Sequence, residues 1–398
     1  MSHQLESYQD EIYLTGMTGS VPDFPTDLSR LGEAARAVMT PEAYGYVAGS
    51  AGAEDTAREN LEAFRRWRIV PRMLTDVSTP SYASTVLGTE LTVPLLLAPV
   101  GVLSIAHPDA ELAVARAAAA LRVPMILSTA ASTAMEDVAA ANGDGQRWYQ
   151  LYWPKDRAVA ASLLGRAQAA GYSVLVVTLD TRILAWRPRD LARGYLPFLN
   201  GIGIQNYVSD PAFQASLSGV ADGAAGGGGS DAAVLRWTQI FGDSSLTWND
   251  LPFIRQHWNG PVVLKGILSA SDALRAAAAG LDGIIVSNHG GRQLDGAIGA
   301  LDALPAIAEA VGSRLAVLFD SGVRGGADIL KALALGARAV MIGRPYVYGL
   351  ALGGEAGVRH VLRAFRQDFE LAMRLSGLAG LGDVGPDCLQ RQPGAGLR

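Results

Sequence analysis

The sequence contains little cysteine and little histidine. Of its 398 residues, one is cysteine (Cys388) and five are histidine. A single cysteine excludes an internal disulfide and any cysteine-based metal site. No two histidines lie at the spacing that metal ligands need, so we expect no bound metal ion.

Basic residues do not outnumber acidic ones either. Lys and Arg total 33 against 38 Asp and Glu, which gives a net charge of −5. This balance argues against a nucleic-acid partner, which would require a basic excess or a basic stripe. No apolar run approaches the roughly 18 residues of a membrane span, and the first residues lack the pattern of a secretory signal. We therefore expect a cytoplasmic protein with no membrane segment.

Short apolar runs alternate with segments rich in Ala, Leu and Arg. Eight runs have the length and composition of buried strands: 95–98, 124–128, 148–152, 174–179, 262–265, 283–287, 316–319 and 339–343. Helical segments follow most of them, and several end in glycine, a common helix stop. Eight such units predict a (β/α)8 TIM barrel, which takes about 250 residues. A doubly wound open sheet is the alternative, but no G-x-G-x-x-G follows the first strand.

Composition divides the chain into several parts. Residues 1–90 predict an N-terminal helical extension that packs on the barrel, the barrel occupies 91–380, and 381–398 form a C-terminal tail. Residues 185–245 interrupt the fourth unit and include a Gly/Ala-rich stretch at 219–231 with few side chains able to pack. We interpret this insertion as a lid over the site, with a passive loop as the alternative.

Polar residues and glycines concentrate where the predicted strands end, which is where active sites of TIM barrels form. After the last two strands the sequence reads FDSGVRGGAD (319–328) and IGRP (342–345). Glycines beside arginine at this place predict a phosphate pocket, because backbone N–H groups and helix N-termini face the anion there. Arg324 and Arg344 would add positive charge.

Two long motifs, SNHGGRQLDG (287–296) and FDSGVRGGADILKALALGARAVMIGRP (319–345), resemble the FMN-dependent α-hydroxy acid oxidase and dehydrogenase family. The similarity runs from about residue 8 to about residue 380. Within the family, DEIYLTGMTG, YVAGSAGAEDT, LDTRILAWRPRDL and FLNGIGIQNYVSDPAF are most similar to lactate 2-monooxygenase. The resemblance implies FMN as cofactor and a homo-oligomer, either a tetramer or an octamer.

The resemblance also implies roles for the matching residues. His289 would be the active-site base, Asp180 its carboxylate partner, and Tyr152 the hydroxyl near the substrate hydroxyl. The substrate carboxylate would be held by Tyr46, Arg187 and Arg292. The residues that would contact FMN are Pro99, Val100, Gly101, Ser128, Gln150, Thr178, Lys265, Ser287, Asp320, Gly322, Arg324, Gly343 and Arg344.

The chemistry of such a reaction suits these residue types. Oxidation of a 2-hydroxy acid needs a base at the hydroxyl or α-carbon, and histidine titrates in the right range. A lone histidine is more often structural. Here, however, the two glycines before Arg292 allow a tight turn that directs the side chains of His289 and Arg292 into the mouth of the predicted barrel. A guanidinium binds a carboxylate bidentately, so Arg292 would anchor the acid end of the substrate.

The electron acceptor separates the members of this family. No residues remain for a haem domain, and the insertion is not apolar or basic enough for membrane binding, so we expect oxygen as the acceptor. We expect a small L-2-hydroxy acid as substrate and lactate 2-monooxygenase-like chemistry, in which peroxide decarboxylates the oxo-acid in place. A simple oxidase that releases oxo-acid and hydrogen peroxide, and a dehydrogenase, are the alternatives. Ala130 stands where several members have a bulkier residue, which favours a substrate longer than lactate.

Two further classes are open. An FMN barrel such as the FMN-dependent isopentenyl diphosphate isomerase would share the phosphate pocket but would not need the carboxylate clamp. A catalytically inactive binding protein is the other class, and the presence of His289, Lys265 and Asp180 argues against it.

Overall fold

The structure, a computed structural model, describes residues 7–217 and 229–392, so residues 219–228 of the Gly/Ala-rich stretch lie outside it. The strands of the described residues are β1 (Trp67–Ile69), β2 (Ser84–Val86), β3 (Thr89–Leu91), β4 (Leu95–Leu97), β5 (Met125–Ser128), β6 (Arg147–Tyr152), β7 (Leu175–Thr178), β8 (Val262–Ile267), β9 (Gly283–Val286), β10 (Ala316–Phe319), β11 (Ala339–Ile342) and β12 (Leu389–Arg391). Strands β4 to β11 form a closed parallel barrel in which β11 pairs with β4. The predicted (β/α)8 barrel is confirmed.

Helices surround the barrel and fill the segments before and between its strands. They are α1 (Tyr8–Gly16), α2 (Leu31–Val38), α3 (Pro41–Ala48), α4 (Asp55–Arg65), α5 (Ala110–Ala120), α6 (Met135–Asn142), α7 (Arg157–Ala169), α8 (Pro188–Leu191), α9 (Gln205–Val208), α10 (Pro211–Leu217), α11 (Gly229–Ile240), α12 (Leu251–His257), α13 (Ala270–Ala278), α14 (Ala300–Val311), α15 (Gly326–Ala334) and α16 (Arg344–Leu375). Local capping explains several starts: the side chain of Asp156 accepts from the N–H groups of Ala158 and Val159 at the start of α7. None of these described helices is long and apolar enough to cross a membrane.

The side chains of each barrel strand alternate between two packing clusters. In β4, Leu96 belongs to the cluster inside the barrel, whereas Leu95 and Leu97 pack with the surrounding helices. Both faces of the strand are therefore apolar, as in parallel strands covered by helices. The same alternation continues in the other seven strands, and it determines which residues reach the mouth of the barrel.

A small antiparallel hairpin, β2–β3, was not predicted. Its Val86 and Leu91 belong to the interior cluster of the barrel, and the hydroxyl of Thr89 accepts from the indole N–H of the fully buried Trp148 at 2.8 Å. The hairpin therefore covers the end of the barrel opposite the strand C-termini. Its strands have three residues each, too few to show an alternating pattern in the sequence.

The described part of the insertion after β7 is largely helical, which the sequence did not predict. Within 185–245 lie helices α8 to α11 and a 3-10 helix (Pro197–Asn200). The ring of Trp237 stacks on Phe198 and Phe241 at 4.6 and 4.5 Å, and the ring of Phe241 lies 5.5 Å from that of Tyr152 on the barrel. These aromatic contacts anchor the insertion above the end of β6.

The two ends of the chain meet on the outside of the barrel. Strand β1, in the segment before the barrel, pairs antiparallel with β12 near the C-terminus, and Ile69 lies opposite Leu389. Helix α4 packs against the loop that follows β9. The division of the chain into an N-terminal extension, a barrel and a C-terminal tail stays a prediction.

Candidate active site

Interior positions of the strands determine the floor of the site. In each strand every second residue faces the interior, and the residues at the last such position are Ala98, Ser128, Gln150, Thr178, Lys265, Ser287, Asp320 and Gly343. Six of these eight are buried polar or charged residues: Ser128, Gln150, Thr178, Lys265, Ser287 and Asp320. Sequence prediction assigned seven of the eight to the cofactor site, and the structure brings them to one end of the barrel.

Hydrogen bonds connect this floor into two groups. On one side the hydroxyl of Ser128 donates to Gln150, whose amide donates to Thr178, both at 2.9 Å. On the other side the ammonium of Lys265 donates to Ser287 at 3.0 Å and pairs with Asp320 at 3.4 Å. Burial without partners would be costly for these groups, and the bonds fix their orientation.

A cavity of about 1200 Å³, measured out to its open mouth, lies above the floor. The predicted site residues that line it are Tyr46, Pro99, Val100, Gly101, Tyr152, Arg187, Lys265, His289, Arg292, Asp320, Gly322, Arg324, Gly343 and Arg344. The others lie just behind this lining, in the buried network of Ser128, Gln150, Thr178 and Ser287, or, in the case of Asp180, behind His289. All the predicted site residues are thus brought together.

His289 and Asp180 form a partly buried pair at the wall of the cavity. Nδ1 of His289 lies 2.8 Å from Oδ1 of Asp180, and Nε2 lies 3.4 Å from the hydroxyl of Tyr152. Burial would raise the pKa of Asp180, but the charges of His289 and Lys265 outweigh it and hold the pKa at about 2. Burial lowers the pKa of His289. At neutral pH an ionised Asp180 therefore accepts from Nδ1–H, and Nε2 keeps its lone pair toward Tyr152.

The backbone that carries His289 is left-handed over three consecutive residues. The φ angles of His289, Gly290 and Gly291 are +59°, +64° and +78°. Glycine adopts this conformation readily, whereas histidine does so at a cost, which is common at functional sites. The turn directs His289 and Arg292 into the same cavity, as the spacing of SNHGGR predicts.

Two arginines and a tyrosine form a cationic wall next to His289. The guanidinium carbons of Arg292 and Arg187 lie 5.0 and 6.0 Å from the ring centre of Tyr46. Arg292 donates to the carbonyl oxygens of Tyr46 and Gly49, and burial lowers its pKa. This wall has a surplus of positive charge, because the nearest carboxylate of Arg187 is Asp190 at 3.9 Å, and no carboxylate pairs with Arg292 in the described residues. It is suited to an anionic group.

A second cationic region lies across the cavity, beyond β10 and β11. Burial lowers the pKa of Arg324 and lowers that of Arg344 to about 9, an effect to which Arg292 adds. The guanidinium of Arg344 donates to the carbonyl oxygens of Val47, Gly49 and Gly290, and no carboxylate in the described part of the chain pairs with either arginine. Partly buried positive charges without a counter-charge indicate an anion site.

Comparison with known proteins identifies the family. The sequence profile of the FMN-dependent dehydrogenase family matches residues 35–391. The chain belongs to the FMN-dependent dehydrogenase family. It is 46% identical over 389 residues to the FMN-dependent alpha-hydroxy acid dehydrogenase qulF of Penicillium citrinum, and the match covers 97% of this chain and 96% of that relative.

Two further relatives of this chain are oxidases by name. An L-lactate oxidase of Lysinibacillus sphaericus is 41% identical over 371 residues, which is 93% of this chain and 94% of that relative. A crystal structure of mandelate oxidase superimposes with a TM-score of 0.81 at 37% identity and covers 93% of this chain and 99% of that chain. The predicted family and the predicted cofactor, FMN, are therefore confirmed.

The cavity of this family member fits FMN by its own chemistry. The two partly buried arginines without carboxylate partners, Arg324 and Arg344, suit a phosphate, which carries about two negative charges. The buried ammonium of Lys265 lies at the floor among groups that both donate and accept, which suits the polar edge of a flavin ring. The two regions line one and the same cavity.

Several residues of the site were not predicted from the sequence. Thr181 and Gln293 bond to each other, and Gln293 accepts from Arg187 at 3.1 Å, so they connect the base region to the cationic wall. Each directly follows a predicted residue, Asp180 or Arg292, and adjacency was the available signal. Phe241, which lines the cavity from the insertion, had no such signal.

Proposed function

We propose that this chain uses FMN to oxidise a small L-2-hydroxy acid and passes the electrons to oxygen. The observation that carries the proposal is that His289, paired with Asp180, faces the same cavity as the cationic wall of Arg187 and Arg292. A base and a carboxylate anchor that line one cavity match the two ends of a 2-hydroxy acid. The names of the relatives, an L-lactate oxidase and a mandelate oxidase, support the same substrate class.

The residues that would hold FMN follow from the floor and the second cationic region. Arg324 and Arg344 would bind the phosphate, with Gly322 and Gly343 allowing close backbone approach. Ser128, Gln150, Thr178 and Ser287 would bond to the ring edge, next to Pro99, Val100 and Gly101. Lys265, paired with Asp320, would place a cation at the ring. When bound, FMN would supply the two-electron redox chemistry of the reaction, with oxygen as the final acceptor and hydrogen peroxide as its product.

The protein's own groups would then orient the substrate and take its proton. Arg187, Arg292 and the Tyr46 hydroxyl would hold the carboxylate and fix its rotation, which places the hydroxyl near Tyr152 and Nε2 of His289. Burial raises the pKa of Tyr152, so it remains a hydrogen-bond donor. The proton goes to Nε2 of His289, and the ionised Asp180 stabilises the imidazolium that results.

We retain lactate 2-monooxygenase-like chemistry as the more specific proposal. If the oxo-acid and peroxide stay together under the insertion, peroxide attacks the carbonyl, the C–C bond breaks, and the products are a carboxylic acid shorter by one carbon, carbon dioxide and water. The aromatic contact of Phe241 with Tyr152 supports an insertion that covers the site. Release of oxo-acid and peroxide, or use of another acceptor, are the alternative outcomes.

The experiment is a screen of 2-hydroxy acids with the purified yellow protein. Anaerobic bleaching of its visible absorbance by a 2-hydroxy acid supports the proposed substrate class, and no bleaching by any acid contradicts it. In air, the products are then quantified. Shortened acid and carbon dioxide in equal amounts support the monooxygenase outcome, whereas equal oxo-acid and free peroxide identify a simple oxidase.

A cytoplasmic location and assembly into a tetramer or octamer stay predictions. Cell fractionation and light scattering of the purified protein test them, and a monomer at micromolar concentration would contradict the second.

A further inference from the structure

Helix α4, which lies outside the barrel, has an asparagine in its buried middle. Asparagine does not favour this position, because its amide competes for backbone hydrogen bonds. Asn60 is 2% exposed, and its Nδ2 donates to Oδ1 of Asn288 at 2.8 Å while its Oδ1 accepts from Nδ2 of Asn288 at 2.7 Å. The two residues are 228 positions apart, so this amide pair links the N-terminal segment to the loop after β9.

The partner of Asn60 holds the turn that carries the base. Asn288 directly precedes His289, and its Oδ1 also accepts from the N–H of Gly291 at 3.1 Å. Its Nδ2 donates to the carbonyl of Ile298 at 3.1 Å. Rotation of the Asn288 amide would break these bonds in a buried region, so Asn60 holds it in one orientation.

The turn itself lies directly against helix α4. A Cβ atom on Gly291 would come within 2.6 Å of the backbone nitrogen of Ala57, one turn before Asn60. The left-handed φ of His289, +59°, is unfavourable on its own and persists where surrounding contacts hold it. Helix α4 supplies part of those contacts, through its backbone and through Asn60, and the hydroxyls of Ser287 and Ser321 accept from the N–H groups of His289 and Gly290.

We propose that Asn60 and Asn288 are positioning residues for His289, and that their amide pair sets the direction of the imidazole Nε2. The inference rests on the proposed function, because it takes His289 as the base. Neither asparagine is among the residues that line the cavity, so the pair acts through the turn and not through contact with substrate.

Two substitutions of Asn60 and one control test this inference in the FMN-loaded enzyme. Asn60→Leu removes the bonds at similar size. Asn60→Asp keeps the bond that Oδ1 accepts from Asn288, but it donates to Asn288 only while the introduced carboxyl is protonated, because its O–H then replaces the amide donor. When that carboxyl ionises, its oxygen faces Oδ1 of Asn288 and repels it. Arg66→Met is the control, since Arg66 on the same helix segment binds Glu59 and Asp302 but lies away from the turn.

We expect Asn60→Leu to lower kcat by about 10²-fold, the cost of a misplaced catalytic group, with FMN content unchanged. The affinity for the 2-oxo acid, measured by the change in visible absorbance on binding, should be unchanged. The cationic wall that binds this acid is held by contacts other than the pair of Asn60 and Asn288. For Asn60→Asp, the ratio of its kcat to that of the wild type should fall as pH rises, since ionisation removes the donor. Arg66→Met should lower the melting temperature but keep kcat.

Other outcomes overturn the inference in distinguishable ways. An Asn60→Leu enzyme with wild-type kcat, or one that loses no more activity than Arg66→Met, overturns it. If Asn60→Leu does not fold, Asn60→Asp decides, and a ratio to wild type that is constant across pH overturns it. A wild type that oxidises no 2-hydroxy acid overturns the proposed function, and the inference with it.

Discussion

Asp180 and His289 are 109 residues apart in the chain, yet their side chains meet at 2.8 Å above the barrel. They follow β7 and β9, the strands on either side of β8, whose Lys265 lies at the floor between them. The ammonium of Lys265 and, at the low pH where Asp180 takes up its proton, the protonated imidazole of His289 keep the pKa of Asp180 low despite burial. The pair thus combines an ionised acceptor with a neutral imidazole, the state that a general base requires at neutral pH.

Replacement of Asp180 tests this division of roles. We expect Asp180→Asn to lower kcat by about 10²–10⁴-fold, the usual contribution of general acid–base catalysis, because the imidazolium loses its counter-charge. KM should change little, since Asp180 does not belong to the cationic wall. Steady-state kinetics on FMN-loaded enzyme measure both constants. A wild-type kcat in this variant would contradict the role of Asp180.

The dependence of kcat/KM on pH follows from the same pair. His289 accepts a proton only when neutral, so activity rises with pH as the imidazolium loses its proton. Because burial lowers the pKa of His289, the midpoint of this rise should lie below about 6.5, the ordinary value for histidine. Asp180 raises the pKa of His289, and Asp180→Asn should therefore move the midpoint to still lower pH. A midpoint above the ordinary value would contradict a neutral buried base.

The second cationic region predicts how the cofactor is held. We expect Arg344→Met to weaken FMN binding by about 10–10²-fold, the effect of losing a charge-assisted hydrogen bond of roughly 1.5–3 kcal/mol. Dialysis followed by the visible absorbance of the retained flavin measures this loss. Arg338→Met is the matched control, since Arg338 precedes β11 whereas Arg344 follows it, and Arg338 donates to a carbonyl at the opposite end of the strand. Equal FMN retention in the two variants would contradict the assignment.

Much of this architecture was predictable, because its patterns are local. The runs 95–98 and 316–319 predicted β4 (Leu95–Leu97) and β10 (Ala316–Phe319), each within one residue at either end. A two-residue period then determines that Lys265 faces the interior with Val263. The C-terminal ends of parallel strands lie at one end of a barrel. The position of the site can therefore be predicted from the strands alone, before any tertiary contact is known.

The parts that sequence did not predict depend on contacts between distant segments. The amide pair of Asn60 and Asn288 has no local pattern, because both residues read as ordinary polar positions of a helix and a loop. The ring of Trp237 packs on those of Phe198 and Phe241 and gives the insertion a packed region. The Gly/Ala-rich stretch of the insertion does not suggest such packing. Tertiary packing overrides composition in both cases.

The cationic wall makes a prediction about substrate binding. We expect Arg187→Lys to lower kcat/KM by about 10–10²-fold, because a lysine has a point charge and lacks the planar fork that binds a carboxylate bidentately. Arg189→Lys is the matched control, since Arg189 is two residues away and forms an exposed pair with Glu54. Kinetics with one 2-hydroxy acid and FMN-loaded enzyme compare the three proteins. Equal losses in the two variants would show that Arg187 does not bind substrate.

The size of residue 130 predicts the length of the preferred substrate. Ala130 is buried and lines the cavity beside Gly101, and Leu184 and Phe241 line the same cavity. We expect Ala130→Leu or Ala130→Trp to lower kcat/KM for long 2-hydroxy acids relative to lactate by about 10-fold or more, as one added methylene in an apolar pocket commonly costs that much. The ratio of kcat/KM for a long acid to that for lactate measures the shift, and retained turnover of lactate serves as the folding control. A ratio that both substitutions leave unchanged would mean that the substrate side chain lies elsewhere, because a leucine or tryptophan at this position extends into the space that a long side chain would occupy.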